Sequence, residues 1–575
     1  MVRDTLTRIT LQVRGLHRAA YARIKAPVQG LHQAAYLLAL LTLASQVLAL
    51  LRDRAFAHTF GAGQVLDLYY AAFRVPDLVF ALVASLVSAY VIIPRITGMG
   101  REETQQLLSQ TATLLFGVGG LICMVLALFM PEFLTFLYPD LMASSGQATF
   151  VLLTRILLLQ PILLGLSGIV SSVTQVHRRF VLFAISPVLY NLGIIVGTVY
   201  LYPHWGLSGI GWGVILGACA YLTVHIPVLL EAEVVPTIAW PRRGLILPIV
   251  RDSIPRSLAL GMHSITILVL TAIASRIGSG SVSMFTLAGN LEAVPLALIG
   301  SSYAVAAFPA LSEASALEKR SEFTRILSAS ARHIILWSLI ALGLIVVLRA
   351  HLVRVILGSG AFDWDATRLT AALLFILVVG LAADALKLLF SRALYAARQS
   401  WRPLLYQVAA GGLTVFLALK LLSMPPEAVL TPLAALLHVG DVAGNAILLV
   451  ALAATLGQLF LLLLSLVALR SVAPGLARSL VRPCMDGTIA AVTSAVAAYL
   501  TLALLGGVVP LTTLANVLGE GLIAGTVGLA VAAATLHLIG NAEFAVLMES
   551  LRRLVRAPEE TVQVLAPSAE EPLQP

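Results

Sequence analysis

The chain has 575 residues, of which 59% are hydrophobic and only 11% charged, with a formal net charge of +9 and a mean hydropathy of +0.95. That composition excludes a water-soluble globule with a polar exterior, and the apolar runs do not alternate as strands of a membrane barrel would, which leaves an all-α integral membrane protein. The three cysteines, Cys123, Cys219 and Cys484, all fall in apolar runs and are expected as packed thiols rather than disulfides or metal ligands.

Residues 1–32 carry Arg3, Arg8, Arg14, Arg18, Arg23 and Lys25 against the single acid Asp4. This segment is too long and too basic for a signal-peptide n-region and reads as a retained cytoplasmic arm lying on anionic membrane lipids. A bilayer core needs roughly 20 apolar residues per helix. Runs of that length predict spans at 33–51, 64–93, 107–130, 149–172, 180–201, 207–230, 246–273, 283–310, 328–348, 368–391, 403–423, 443–469, 485–508 and 515–540, about fourteen transmembrane helices. With both termini cytoplasmic, the inner loops and tails hold 26 of the 37 basic residues, as the positive-inside rule requires. The positive charge therefore reports topology and calls for no nucleic-acid partner.

Residues 50–63 read LLRDRAFAHTFGAG, placing Arg52, Asp53 and Arg54 at the end of the first apolar run. An ionisable residue at membrane depth costs roughly 2.5–3.5 kcal/mol on insertion scales, so it is expected to face a wet cavity or a partner. Ser45 lies seven residues before Arg52 on the same helix face, while Arg54 reads as an interfacial anchor. In the second span Asp67, Arg74 and Asp77 share one stripe beside Pro76, a kink position. Glu292 in the eighth span has no base within a turn of it, whereas Asp384 and Lys387, three residues apart in the tenth, read as a self-contained ion pair. His58, His177 and His263 lack metal-ligand spacing.

The chain repeats itself. AHTFGAGQV at 57–65 aligns with ASRIGSGSV at 274–282, and PVLY at 187–190 with PLLY at 403–406, at offsets of 217 and 216 residues. Six helices separate the copies, an even number, so two parallel six-helix repeats around a central cavity are expected, plus two extra helices. The corresponding domains are 33–245 (first lobe), 246–470 (second lobe), 485–540 (the extra pair) and a cytoplasmic tail at 541–575.

FGAG followed by Asp67, AFRVPDL at 72–78, Pro94, and GSGSVSMF running on to NLEAVP and AAFPALS resemble the lipid II flippase family (MurJ, formerly MviN) of the multidrug/oligosaccharidyl-lipid/polysaccharide exporter superfamily. The resemblance implies a transporter rather than an enzyme. It would move a polyprenyl-diphosphate-linked peptidoglycan precursor from the inner to the outer leaflet of the bacterial cytoplasmic membrane by alternating access, in support of cell-wall synthesis. It also implies a cationic headgroup cavity between the lobes and a lipid-tail groove at the extra pair. Carried onto this chain, the substrate-binding residues are Ser45, Arg52, Asp53, Asp67, Arg74, Asp77, Asn290 and Glu292. Guanidinium forks suit a diphosphate better than ammonium groups. No cofactor is expected, the coupling ion stays open, and cell-wall synthesis proteins are the further partners.

The chain departs from the family pattern where the family has arginines: Gln46 follows Ser45, Phe80 and Ala81 follow the Pro-Asp-Leu turn, and Asn290 stands in the eighth span, while Ser85-Leu86 replaces a Glu-Gly. A flippase for another lipid-linked oligosaccharide and a transport-inactive scaffold are the alternatives. A membrane glycosyltransferase or ligase would need an acid/base or metal constellation, and the longest outer loop, 420–441, offers only Glu427 and Asp441.

Overall fold

Membrane-depth backbone must satisfy its own hydrogen bonds, and the chain does so with helices throughout. The computed structural model describes residues 31–83, 89–506 and 513–556. The arm before residue 31, Ser85-Leu86 and the tail beyond 556 lie outside the described residues. Leaving aside the short helices Met130–Leu137, Pro139–Met142 and Leu430–Leu436, the helices are α1 (Leu31–Phe60), α2 (Gln64–Leu82), α3 (Ala89–Ile96), α4 (Arg101–Leu128), α5 (Gln147–Val176), α6 (Phe180–Trp205), α7 (Leu207–Glu231), α8 (Arg243–Ser275) and α9 (Ser281–Ala316). They continue with α10 (Arg320–Ile356), α11 (Trp364–Val379), α12 (Leu381–Ala396), α13 (Trp401–Leu422), α14 (Ile447–Leu469), α15 (Leu476–Gly506), α16 (Leu514–Leu538) and α17 (Ala542–Arg556).

Among the described residues eleven helices are long and apolar enough to cross a membrane, or twelve when α11 and α12, bent by 45° where they meet, count as one span. The remaining long helices, α1 and α2, are the two that carry the charge clusters. The expected second span, 64–93, ends as a described helix at Leu82 and resumes at Ala89. α10 has 37 residues, about 55 Å at 1.5 Å per residue, so its ends project beyond a core about 30 Å thick. Single π-turns interrupt α4 at Leu115–Gly119, α6 at Gly197–Leu201 and α9 at Leu296–Ser301. Such widened turns tend to sit at functional sites.

α1 lies along α6, α6 along α7, and α2 against α5; in the second half α8 lies along α13, α13 along α14, and α9 against α11. The closest of these seams has almost no side chain in it. A Cβ on Gly193 would lie 2.4 Å from the Gly217 Cα, and one on Gly213 2.4 Å from the Gly197 Cα, so α6 and α7 touch backbone to backbone. The two halves meet where α2 packs on α8 and α9. One continuous apolar core, from Leu66 and Tyr69 through Leu268 and Val282 to Leu373 and Leu448, runs across that junction.

α15 and α16 pair with each other and both pack on α10. Between α10 and α16 lies an apolar groove of about 280 Å³, lined by Leu348, Leu352, Val355, Val517, Leu522 and Leu529 among others. His351 Nε2 stands 3.7 Å from the buried Glu520 carboxylate beside it. Asn541 precedes α17 and caps it: its Oδ1 accepts from Phe544 N at 2.9 Å while its amide donates to Asp486; Glu543 pairs with Arg332 on α10 at 3.1 Å. The cysteines divide otherwise than expected: Cys123 is buried, but Cys219 and Cys484 are exposed on the outer faces of their helices.

Candidate functional site

Three cavities of about 180, 340 and 330 Å³ sit at the junction of the halves, and Arg74 lines all of them. The residue comes from the polar stripe of α2, a helix of the first half that packs on both α8 and α9 of the second. Arg74 does not pair with Asp77 as the spacing allowed. Its Nε donates to Thr271 Oγ1 on α8 and its Nη2 to Thr286 Oγ1 on α9, both at 3.0 Å. Asp77, which lines two of the cavities, accepts no hydrogen bond among the described residues.

The smallest cavity is walled by Arg52, Phe56, Tyr69, Phe73, Tyr190 and Asn290 with Arg74 and Asp77. Arg52 holds Asp53 through Nη2 at 2.8 Å and Nε at 3.0 Å, and donates from Nη1 to Asn191 Oδ1 on α6 at 3.0 Å. Asn290 on α9 donates to the other Asp53 oxygen at 3.0 Å. A chain Asn191–Arg52–Asp53–Asn290 thus spans both halves. Asp53 is buried and fully partnered, while Arg52 keeps 19% of its side-chain surface open to the cavity. An aromatic ladder backs it, with Phe56–Tyr69 and Tyr69–Phe73 ring centroids 4.8 and 4.9 Å apart.

The largest cavity is walled by Arg74, His263, Glu292, Asp384, Lys387 and Gln458 among others. Asp384 and Lys387 form the expected pair at 2.8 Å. Their spacing did not disclose that the pair would share a cavity with Glu292. Ser45, half-buried on α1, is not among the residues lining any of these cavities.

Neither is Asp67, which is buried at the opposite end of α2. Its carboxylate accepts from the backbone N–H of Gly280 at 2.6 Å and of Ser283 at 2.7 Å, capping α9, where unsatisfied donors and the positive helix end favour an anion. Arg54 makes the converse contact: half-buried, it donates to the Val355 and Ile356 carbonyls at the C-terminal end of α10, at 2.5 and 3.4 Å. Ala361 N donates to His58 O at 3.0 Å beside them. Gly61 (φ +65°) and Gly280 (φ +87°) let the turns close up: a Cβ on Gly61 would lie 2.4 Å from Ala361 O, and one on Gly280 2.8 Å from Ala62 O. This end of the junction is therefore sealed by backbone against backbone.

Near the same end Arg368 grips Asp441 in a forked pair at 2.6 and 2.8 Å. The guanidinium holds the Asp441 carboxyl below its ordinary range. Of the two acids in the 420–441 loop, one is thus committed to an ion pair. Among the described residues no group of three or more His, Cys, Asp or Glu could hold a metal ion.

The family model described as "Lipid II flippase MurJ" matches residues 56–452. The Lipid II flippase MurJ of Burkholderia cenocepacia is 27% identical over 387 residues, covering 65% of this chain and 74% of that one. The "Probable lipid II flippase MurJ" of Rhizobium tropici is 25% identical over 404 residues, covering 67% and 74%. Among solved structures, a lipid II flippase MurJ in an inward closed conformation superposes with a TM-score of 0.69 at 18% identity, covering 88% of this chain and 99% of that one. An inward-facing MATE family transporter of the MOP superfamily does so at 0.58 and 17%, covering 73% and 95%. The fold is shared with these transporters, and, with the family model matched over more than half of its length, the chain belongs to the lipid II flippase MurJ family.

Proposed function

We propose that this chain translocates the headgroup of lipid II, a polyprenyl-diphosphate-linked peptidoglycan precursor, across the bacterial cytoplasmic membrane by alternating access. Family membership gives the transporter class. The observation that carries the mechanism is the partly open Arg52 guanidinium in a cavity at the junction of two halves whose far end is sealed. Such a fork can take two phosphate oxygens where water is scarce. Arg52, Asp53, Arg74, Asp77, Asn290 and Glu292 form the binding site, with Ser45 further along α1 and Asp67 acting through the seal. The groove between α10 and α16 takes the polyprenyl tail; its lining residue Val355 also gives its carbonyl to Arg54, which links tail groove and seal.

Counting α1 and α2 with the twelve apolar spans gives fourteen helices. Two six-helix repeats are supported by the matching packing partners in each half and by two turn residues with positive φ, Gly98 and Arg178, each matched 220 residues later by Glu318 and Arg398. The lobes are then 33–245 and 246–470, followed by the extra pair at 485–540 and a cytoplasmic tail from 541. Both termini face the cytoplasm, and the seal closes the outer end. Cell-wall synthesis proteins are the further partners.

The test is lipid II headgroup accessibility in proteoliposomes, beside a second polyprenyl-diphosphate oligosaccharide. Faster appearance of the lipid II headgroup at the far face is expected, and protein-independent rates for both lipids would leave an inactive scaffold. Single cysteines at Ser144 and Glu427 should react with an impermeant thiol reagent on whole cells, and those at Arg178 and Arg398 should not; labelling at Arg178 would reverse the orientation.

A further inference from the structure

Glu292 is the one carboxylate of the junction cavity of about 340 Å³ that the contacts above leave without a partner. It is nine-tenths buried, lines the cavity and accepts no hydrogen bond among the described residues. The cationic donors around it and the Asn290 amide are engaged elsewhere. Arg74 of α2 is given to Thr271 and Thr286, and Asn290 to Asp53. Lys387 of α12 is given to Asp384 at 2.8 Å and to Gln458 Oε1 of α14 at 3.2 Å. His263 of α8 lines the same cavity. Of the two carboxyl groups only Asp384 is held by the ammonium group, and Arg74, the other cation of the cavity, contacts neither, so Glu292 has no ion-pair partner out of water, where a charge is costly unless neutralised.

Both acids stand next to breaks in their helices. Glu292 lies one turn before Pro295 and the π-turn Leu296–Ser301, and Asp384 one turn after Gly380, where α11 and α12 meet at 45°. The two breaks touch: a Cβ on Gly300 of the π-turn would lie 2.8 Å from the Ala385 Cα. A change in which acid holds Lys387 would therefore pull one broken helix along the other.

We propose that Glu292 is a proton-binding site that couples to the opening of the outer seal, with Lys387 as a counter-ion passed between Asp384 and Glu292. In the arrangement described, the proton sits on Glu292 and Lys387 on Asp384. Loss of the proton to cavity water leaves a carboxylate that draws Lys387 across and shifts α9, whose N-terminus is the one Asp67 caps, towards release. A sodium ion is disfavoured as the occupant, because the ammonium group already holds the Asp384 and Gln458 oxygens it would need.

The inference rests on the seal being a gate, and its test uses no lipid II, so it can fail separately from the translocation assay. The full chain, with its native cysteines replaced and Ala62→Cys placed under Gly280, is reconstituted in liposomes and labelled with an impermeant thiol reagent. Labelling, taken at each pH relative to the same cysteine in detergent-denatured protein so that ionisation of the thiol itself cancels, should rise with pH by up to about tenfold per unit, the limit for one proton, and should ignore replacement of sodium by choline. Glu292→Gln should hold it low and flat, whereas Glu292→Asp should keep the response. Asp384→Asn with Lys387→Met should flatten it while leaving the net charge unchanged. A wild-type response in folded Glu292→Gln would overturn the proposal, as would labelling that follows sodium. A rise on acidification would overturn it too, since that sign belongs to Asp67 losing its charge and its hold on α9.

Discussion

Replacing Asp67 by alanine should shift the protein towards the state in which the outer end is open. Asp67 accepts two backbone hydrogen bonds, at 2.6 and 2.7 Å, and is 1% exposed, so neither bond is shared with water. A hydrogen bond to a charged group is worth about 1.5–3 kcal/mol net of the exchange with water, and an anion at a helix start adds about 0.3–1 kcal/mol. With these contacts made by the sealed state and not by the open one, its loss on Asp67→Ala is about 3–7 kcal/mol, or roughly two to five orders of magnitude in the ratio of sealed to open forms. Asp67→Asn keeps one acceptor without the charge and should lose about half of that energy. The measurement is the labelling rate of Ala62→Cys by an impermeant thiol reagent, which should climb from wild type through Asp67→Asn to Asp67→Ala. If folded Asp67→Ala is labelled as slowly as wild type, Asp67 caps α9 without holding the halves together, and the reasoning fails.

Gly61→Ala meets both a positive φ and a carbonyl oxygen 2.4 Å from the new methyl group, so it should favour the open end as Asp67→Ala does while leaving the amount of folded protein near wild type; slow Ala62→Cys labelling in that variant would count against a backbone seal. Arg52→Ala should abolish headgroup translocation, and Arg52→Lys should restore only part of it, because an ammonium group cannot hold Asp53, Asn191 and a phosphate in one plane; wild-type transport by Arg52→Ala in proteoliposomes would remove the residue from the site. The Arg368–Asp441 pair contributes stability above the ordinary carboxylate range and loses it as pH falls through the depressed Asp441 value, since the folded form binds the proton later than the unfolded one. The thermal midpoints of wild type and Arg368→Ala should therefore converge on acidification, and a gap that widens instead would refute that assignment.

The cavity was legible because charges in apolar runs are rare and must stay wet or paired, which is how Arg52, Arg74, Asp77 and Glu292 declare themselves before any coordinates. The destination of Asp67 was not legible, because its partners are backbone amides at the start of another helix and leave no trace in side-chain pattern. The same blindness hid Arg54, whose acceptors are carbonyls at a helix end. Asn191 carries no charge to mark it, and its one signal is the repeat: PVLY is followed by Asn191 and PLLY by Gln407, an amide at one register in both copies. The sequence positions of Asp384 and Lys387 disclose a pair and not a site, since a spacing of three fixes who pairs on one helix but not what the neighbouring helices bring up to them. Helix breaks at Gly380 and Leu296–Ser301 escaped a hydropathy reading because the apolar run continues straight through them.

The glycine seam between α6 and α7 has a mechanical meaning. Backbones in direct contact have no side chains to repack, so the pair cannot absorb a displacement by sliding or by rotamer changes. A push delivered at one end of α1, which lies along α6, is handed on undiminished to the other end. Stiffness of this kind turns a few hydrogen bonds at the rim of the bundle into a lever on its distant face, and it makes a single added methyl group at Gly193 or Gly213 an injury to the whole half rather than to one seam.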